Sequence, residues 1–182
     1  MKDTRSVQDL VQAVNQGMIP SFVFFWGHTP SMPGVIDSSC LSNWYPASFK
    51  VDGIEYPTTE HYMMAQKARL FQDSLHEKKI MQAKTPAQAK SLGRKVMGFT
   101  TEIWEKHRFE IVVAGNVEKF SQNTELKYFL LGTNPHVLVE ASPYDSIWGI
   151  GMDKDNKKAT KPSQWKGLNL LGFALMEVRG RL

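Results

Sequence analysis

The spacing of hydrophobic positions changes along the chain, and the change separates predicted strands from predicted helices. The most apolar stretch of the chain, at 21–26, predicts a buried strand, and residues 47–56 predict a hairpin that turns at Asp52-Gly53. Beyond Pro57, apolar residues recur at helical spacing between capping residues and glycine stops. The predicted helices occupy residues 59–71, 73–83, 86–93, 101–120 and 124–131.

The two ends of the chain complete the prediction. Residues 6–16 carry valine and leucine at helical spacing, followed by Gly17, and therefore predict a short amphipathic helix. Residues 136–141 predict a strand, 143–162 a long loop with several glycines, and 168–179 a closing strand or helix. Together these elements indicate the α+β class, as a mostly helical single domain with a small β-sheet.

Length and composition agree with one globular domain. A chain of 182 residues with 42% hydrophobic and 22% charged residues can bury one substantial core without cross-links or metals. The formal net charge is +4, which makes attraction to phosphates plausible. The basic residues are mixed with acidic ones, however, so charge alone favours no particular anionic partner.

Cysteine usage and hydropathy indicate a cytoplasmic protein. Cys40 is the single cysteine, so it has no partner for an internal disulfide, and it lacks the spacing of a metal ligand. The most apolar stretch, at 21–26, is far shorter than the roughly 20 residues that span a bilayer, so no membrane segment is expected. Polar residues interrupt positions 1–17, so a signal peptide is not expected either.

The helix predicted at 59–71 carries the most informative polar residues. Glu60, Met63, Met64, Lys67 and Phe71 share one face of it, so two charges lie within an apolar stripe. Glu60 and Lys67 are two turns apart, roughly 10.5 Å of rise, so both can line one pocket without a direct ion pair. Helix physics equally allows Glu60 to complement the helix N-terminus while Lys67 extends its ammonium group into solvent.

Two asparagines also have functional and structural interpretations. Asn116 lies inside a predicted helix among apolar residues, where its amide is costly unless it is hydrogen-bonded. A ligand or a buried loop backbone would satisfy that amide equally well. Ser42 and Asn43 follow the first loop, where they can be ordinary turn residues or ligand contacts. His61 lacks a second histidine or glutamate at zinc-binding spacing, which favours a structural role.

The loop at 142–155 combines a carboxylate, an aromatic face and glycines that allow close backbone approach. Asp145 and Trp148 supply the first two features, and Gly149 and Gly151 supply the third. A substrate ring stacked on Trp148 and simple packing of the indole are both open. The two glycines lack the third glycine and the strand-to-helix setting of a dinucleotide fingerprint, which excludes a Rossmann site.

Several segments, in this order, resemble the NADAR (YbiA-like) family. The resemblance runs from about Phe24 to Arg179, which implies a YbiA-like domain at 21–182 preceded by a helical extension at 1–20. The segments are Leu41-Ser42-Asn43, Tyr56-Pro57-Thr58-Thr59-Glu60-His61-Tyr62, Ala65-Gln66-Lys67, Gly93-Arg94, Ser146-Ile147-Trp148-Gly149-Ile150-Gly151 and Asn169-Leu170-Leu171-Gly172.

The resemblance implies an N-glycosidase. Members of the family act on phosphoribosylated amines, including early riboflavin-pathway intermediates, and others remove ADP-ribose from guanine in nucleic acid. The expected partner is therefore a small phosphoribosyl or ADP-ribosyl substrate, or ADP-ribosylated DNA. A non-catalytic module that binds ADP-ribose or NAD is the alternative, and a general nucleic-acid binder is a more distant one. Oligomeric state is not readable from the sequence.

The resemblance also implies residue roles. Glu60 would be the acid-base carboxylate, and Lys67 would either attack an open-chain ribose C1 or hold phosphate. Some relatives carry an aspartate where this chain has Ile150, so Asp145 and Asp153 are the nearby candidates for an acid. No cofactor or metal is expected, and activity should therefore survive a chelator. The implied substrate-binding residues are Ser42, Asn43, Tyr62, Arg94, Asn116, Trp148, Gly149 and Gly151.

Overall fold

The computed structural model describes residues 4–182, which form two compact units. The first unit joins the chain up to Ser42 with Glu125–Leu182, and the second unit is Asn43–Thr124. Of the extension predicted at 1–20, residues 1–3 lie outside the described part. The helices are α1 (Val7–Asn15), α2 (Thr59–Leu70), α3 (Ser74–Met81), α4 (Pro86–Gly93), α5 (Thr101–Gln122), α6 (Thr124–Gly132) and α7 (Leu170–Arg181). The strands are β1 (Phe22–Phe25), β2 (Phe49–Val51), β3 (Ile54–Tyr56) and β4 (Val137–Glu140).

In the first unit, β1 and β4 pair in parallel, with Phe22 opposite Val137. The first three residues of β4, Val137, Leu138 and Val139, are fully buried, and α7 packs against this strand. Helix α1 is capped by Ser6, whose hydroxyl accepts the amide of Asp9, and it packs near a short 3-10 turn at Pro162–Gln164. Burial of β4 between β1 and α7 explains its continuous apolar sequence.

An asparagine side chain takes the place of a strand partner along β4. The side chain of Asn169 accepts the amide of Glu140 at 3.0 Å and donates to the carbonyl of Leu138 at 2.9 Å. Gly172 lies directly beside this contact, because a Cβ there would stand 2.1 Å from the Leu138 carbonyl oxygen. The segment Asn169-Leu170-Leu171-Gly172 therefore has a structural explanation: it brings α7 close to β4.

In the second unit, α2 packs against α3, α4 and α5. Two glycines allow these close helix contacts. A Cβ at Gly93 of α4 would stand 2.1 Å from the sulfur of Met64, and one at Gly115 of α5 would stand 2.5 Å from the ring of Tyr62. Strands β2 and β3 form the predicted hairpin, which turns through Asp52-Gly53, both with positive φ angles.

The structure confirms the α+β class and the mostly helical content with little sheet. The predicted helices and strands recur within about two residues at each end. The segment at 168–179, which the sequence left as strand or helix, is the helix α7. Among the described residues, no helix is both long and apolar enough to cross a membrane.

Candidate active site

Glu60 lies in the first turn of α2, and the fold buries it. Thr58 caps the helix by accepting the amide of His61, and the amide of Glu60 itself donates to the backbone carbonyl of Asn43 at 2.9 Å. The Glu60 side chain is only 3% exposed. A carboxylate at this position gains from the positive end of the helix dipole, which offsets part of the cost of its burial. Glu60 is therefore a buried carboxylate in the first turn of α2, a position that agrees with its complementing the helix N-terminus.

Lys67 follows two turns later and is half-buried. Its Nζ atom lies 4.1 Å from the ring centroid of Phe99 and 5.5 Å from the ring of Trp104. Burial lowers the pKa of Lys67 below its ordinary value, the positive charge of Arg94 lowers it further, and the negative charge of Glu60 raises it in part. These surroundings therefore raise the fraction of neutral amine above that of a solvated lysine.

Three of the predicted residues, Glu60, Lys67 and Arg94, influence one another through their charges. Arg94 caps the C-terminus of α4 with an exposed side chain, and α4 approaches α2 closely at Gly93. The negative charge of Glu60 and the positive charge of Arg94 both act on the pKa of Lys67, so one acidic and two basic residues influence one another electrostatically. A group of this composition can bind phosphate and exchange protons.

Asn116 and Asn43 bind each other. The Asn116 side chain donates to the side-chain oxygen of Asn43 at 3.0 Å and to the carbonyl of Val112 at 3.0 Å. The hydroxyl of Thr59 lies 3.5 Å from the remaining oxygen of Asn116. Asn116 is fully buried and Asn43 is 5% exposed. The partner of Asn116 is thus a loop side chain, where the sequence left a ligand and a loop backbone open.

Two predicted residues on α2 lie in the core of the second unit. Tyr62 is 6% exposed and packs against the rings of Phe49 and Tyr56, and burial raises the pKa of its hydroxyl. The His61 ring makes hydrogen bonds with the Thr58 hydroxyl at 2.8 Å and the Ala83 carbonyl at 3.1 Å. The structural interpretation of His61 is confirmed by these bonds, and Tyr62 is a core residue of the second unit.

In the first unit, Asp145 holds its own loop together. One carboxylate oxygen accepts the amides of Ile147 at 2.9 Å and Trp148 at 2.8 Å. The carbonyls of Ile147 and Trp148 in turn accept the amides of Leu170 and Leu171, the first two residues of α7. The loop therefore caps α7, and it needs the Asp145 carboxylate for its shape.

The glycines of this loop approach protein atoms. A Cβ at Gly149 would stand 2.7 Å from the carbonyl oxygen of Glu140, and Gly151, with φ +66°, lies against Lys166. Tight packing accounts for both glycines without a ligand.

Two further predicted residues have simple surroundings. Trp148 remains half-exposed. Ser42 ends the 3-10 turn at Ser38–Leu41, with its amide bonded to the Ser39 carbonyl.

Sequence reasoning missed Phe99 and Trp104. Phe99 lies in the connection between α4 and α5, and Trp104 lies in the first turn of α5 and is 9% exposed. The sequence shows that both residues are aromatic, but helical spacing cannot show that they contact Lys67 from outside its own helix.

Among residues 4–182, no group of three or more histidine, cysteine, aspartate or glutamate side chains is placed to hold a metal ion.

Comparison with known proteins gives the same family as the sequence motifs. An N-glycosidase of Acanthamoeba polyphaga mimivirus is 45% identical over 163 residues, which cover 87% of this chain and 94% of its own. The N-glycosidase YbiA of Escherichia coli is 34% identical over 146 residues, 80% of this chain and 82% of its own. The NMR structure of Escherichia coli YbiA matches with a TM-score of 0.71 and 30% identity, covering 94% of this chain and 90% of that one.

A riboflavin biosynthesis protein of Vibrio vulnificus is 37% identical over 142 residues, which are 78% of this chain but 35% of that protein. The NADAR domain family itself matches residues 24–182, most of the chain. On this match, and on the two N-glycosidase relatives at 45% and 34% identity, the chain belongs to the NADAR domain family.

Proposed function

We propose that this protein hydrolyses the bond between ribose C1 and nitrogen in a phosphoribosylated amine or in ADP-ribosylated guanine. The observation that supports this proposal most is the buried Glu60 carboxylate in one electrostatic environment with the half-buried Lys67 and with Arg94. The class of reaction is that of the relatives. An N-glycosidase is a hydrolase, and the chain is a hydrolase of this type.

Glu60 is assigned the proton transfers. As the C1–N bond breaks, positive charge develops on the sugar and the leaving nitrogen needs a proton. The carboxyl group of Glu60 donates that proton, and the resulting carboxylate takes one from the water molecule whose oxygen bonds to C1. Glu60 ends the cycle in its starting protonation state. The hydrogen bond from its backbone amide to the Asn43 carbonyl fixes the backbone of Glu60, and burial restricts its side chain during both transfers.

Lys67 has two proposed roles that experiment can separate. In the first, its neutral amine attacks C1 of an open-chain ribosyl imine, the C1–N bond to the leaving amine breaks, and water later hydrolyses the Schiff base to release ribose and free Lys67. The lowered pKa of Lys67 supports this role, because it increases the fraction of neutral amine. In the second role, the protonated Lys67 binds substrate phosphate.

The other residues are assigned binding and positioning roles. Arg94 binds phosphate, since its exposed guanidinium group can bond two oxygens at once. Asn43 contacts the ribose hydroxyls, and Asn116 holds the Asn43 side chain in position by a hydrogen bond to its oxygen. In the first unit, the half-exposed Trp148 ring is proposed to stack on a substrate ring. Asp145 was expected as a candidate acid. Its proposed role is to hold the Trp148 loop, because its carboxylate accepts two loop amides.

The experiment is chromatographic detection of products from two substrates, a riboflavin-pathway ribosylamine phosphate and an oligonucleotide carrying ADP-ribosylated guanine. Release of free amine and ribose phosphate from the first would assign a small-molecule role. Release of guanine-bearing oligonucleotide and ADP-ribose from the second would assign a nucleic-acid role. If neither substrate is cleaved while calorimetry detects binding of ADP-ribose, the protein is a reader and the hydrolase proposal is wrong.

A further inference from the structure

The connection between α4 and α5 has a defined structure that sets the position of one aromatic ring. The carboxylate of Asp73 accepts the amide of Met97 at 2.8 Å and fixes the middle of this connection. Gly98 follows with φ +70°, a conformation that side-chain-bearing residues rarely adopt. The backbone turn at Gly98 brings the next residue, Phe99, back toward α2.

Phe99 is supported from below by α2 itself. Its ring packs on the ring of Phe71, with centroids 5.3 Å apart. Phe71 lies four residues after Lys67, which is one helical turn along the same face. Helical spacing predicted Phe71 on the face of Lys67, and in the structure the Phe71 ring packs against the ring that contacts the lysine.

Phe99 is the outer of the two rings around the ammonium group. Its centroid lies 4.1 Å from Nζ of Lys67, against 5.5 Å for Trp104. Phe99 is 41% exposed, whereas Trp104 is 9% exposed and belongs to the core. Of the two rings near the ammonium group, Phe99 is therefore the one that also faces solvent.

We propose that Phe99 is a positioning residue, which fixes the Lys67 ammonium group over its ring and keeps water away from it. This inference rests on the proposed function, in which Lys67 reacts as a neutral amine or binds phosphate. Phe99 touches no substrate in this proposal and acts only through Lys67.

Phe99 has two opposite effects on the lysine, and a substitution series separates them. Excluding water destabilises the ammonium form, whereas the electron-rich ring face stabilises it. The charged groups that act on Lys67 are Arg94, at the end of α4, and Glu60, on its own helix. Burial is the largest cause of the lowered pKa, so we expect the exclusion of water to outweigh the attraction of the ring.

The test is an NMR titration of lysine side chains in the full protein labelled with carbon-13 lysine, with the Lys67 signal assigned by its loss in Lys67→Arg. Phe99→Ala admits water and should raise the pKa of Lys67 toward the ordinary 10.5. Phe99→Leu keeps water out but removes the ring, so the pKa should fall below that of the wild type. Phe99→Tyr keeps both effects and should leave the pKa unchanged.

Ile103→Ala is the matched control, because Ile103 is also 41% exposed and lies nearby in the first turn of α5. It should leave the titration of Lys67 unchanged. A wild-type pKa in Phe99→Ala, or an equal shift in Ile103→Ala, would overturn the inference. If melting curves show that Phe99→Ala does not fold, Phe99→Leu decides, and an unchanged pKa there overturns it equally.

Activity supplies a second readout that a purely structural role would not reproduce. If Lys67 acts as a neutral amine, Phe99→Ala should lower kcat at neutral pH about tenfold for each unit by which the pKa rises, and raising the pH should restore kcat. The titration needs no turnover. A wild type that cleaves neither substrate would therefore refute the proposed function and leave the Phe99 inference to be decided by NMR.

Discussion

The side chain of Asn116, in the middle of α5, donates a hydrogen bond to the side-chain oxygen of Asn43 at 3.0 Å. The backbone carbonyl of Asn43 accepts the amide of Glu60 at 2.9 Å. These two bonds connect the long helix, the loop that opens the second unit and the first turn of α2. The position of Glu60, the candidate catalytic residue, therefore depends on the buried side-chain amide of Asn116, which acts through Asn43.

We expect Asn116→Ala to lower the free energy of unfolding by about 1–3 kcal/mol, because it leaves the Asn43 side chain buried without its donor. Turnover should fall as well, since Asn43 also positions Glu60. Urea unfolding followed by circular dichroism measures the first effect. Asn123→Ala is the control, because the Asn123 amide bonds backbone carbonyls at a more exposed end of the same helix. Equal losses in both variants would contradict the special role of Asn116.

We expect Gly115→Ala to destabilise the protein by about 1–3 kcal/mol, although alanine favours helices, because the new methyl group would meet the Tyr62 ring. Gly180→Ala in α7 is the matched control, since a Cβ there has no atom within 4 Å. That variant should gain roughly 0.5–1 kcal/mol from helix propensity alone. Melting temperatures measure both changes, and a stabilised Gly115→Ala would show that the two helices are less tightly packed than described.

The sequence predicted most helices because their starts and stops are local signals. Thr58, Asp73 and Thr85 each accept a backbone amide in the first turn of their helix, as expected from caps. Helix α7 was ambiguous because its start is not local. Its first amides donate to the carbonyls of Ile147 and Trp148, more than 20 residues earlier in the chain.

The candidate site divides in the same way. Glu60 and Lys67 share one helix, so their common face follows from helical spacing alone. The buried amide of Asn116 was also detectable, because a polar side chain among apolar neighbours needs a partner. Its actual partner, Asn43, is 73 residues away, and the ring of Phe99 reaches Lys67 from another element. Such contacts depend on tertiary packing, which periodicity does not encode.

We expect Lys67→Met to stabilise the protein at neutral pH, by on the order of 1 kcal/mol, because it removes a charge that folding desolvates. The sign follows from the lowered pKa. Between the folded pKa and the unfolded value of 10.5, the unfolded chain binds more protons, so wild-type stability rises with pH. The advantage of Lys67→Met should therefore shrink as the pH approaches 10.5.

Urea unfolding at several pH values measures this difference, with Lys95→Met as the control at an exposed lysine. The control should show neither the gain at neutral pH nor its loss in alkali. A Lys67→Met variant that is less stable than the wild type at neutral pH would mean that the two rings bind the ammonium group more strongly than burial destabilises it.

Borohydride trapping tests the covalent role of Lys67. If Lys67 forms a Schiff base with ribose C1, reduction of its C=N bond during turnover of the ribosylamine phosphate should leave a ribityl phosphate on the peptide that contains it, and Lys67→Arg should abolish the adduct. Trapping should increase with pH, because deprotonation of the amine must precede attack. An active wild type without an adduct on Lys67 would leave phosphate binding as its role.

The most direct test of the central claim compares turnover by Glu60→Gln and Glu55→Gln on the substrate that the wild type cleaves. Glutamine keeps the shape of Glu60 but cannot transfer the proton, so product release should fall by about 100- to 10,000-fold. Glu55→Gln removes an exposed carboxylate of β3 and should keep wild-type turnover. Folded Glu60→Gln protein with wild-type turnover would contradict the assignment of Glu60 as the acid-base residue of this N-glycosidase.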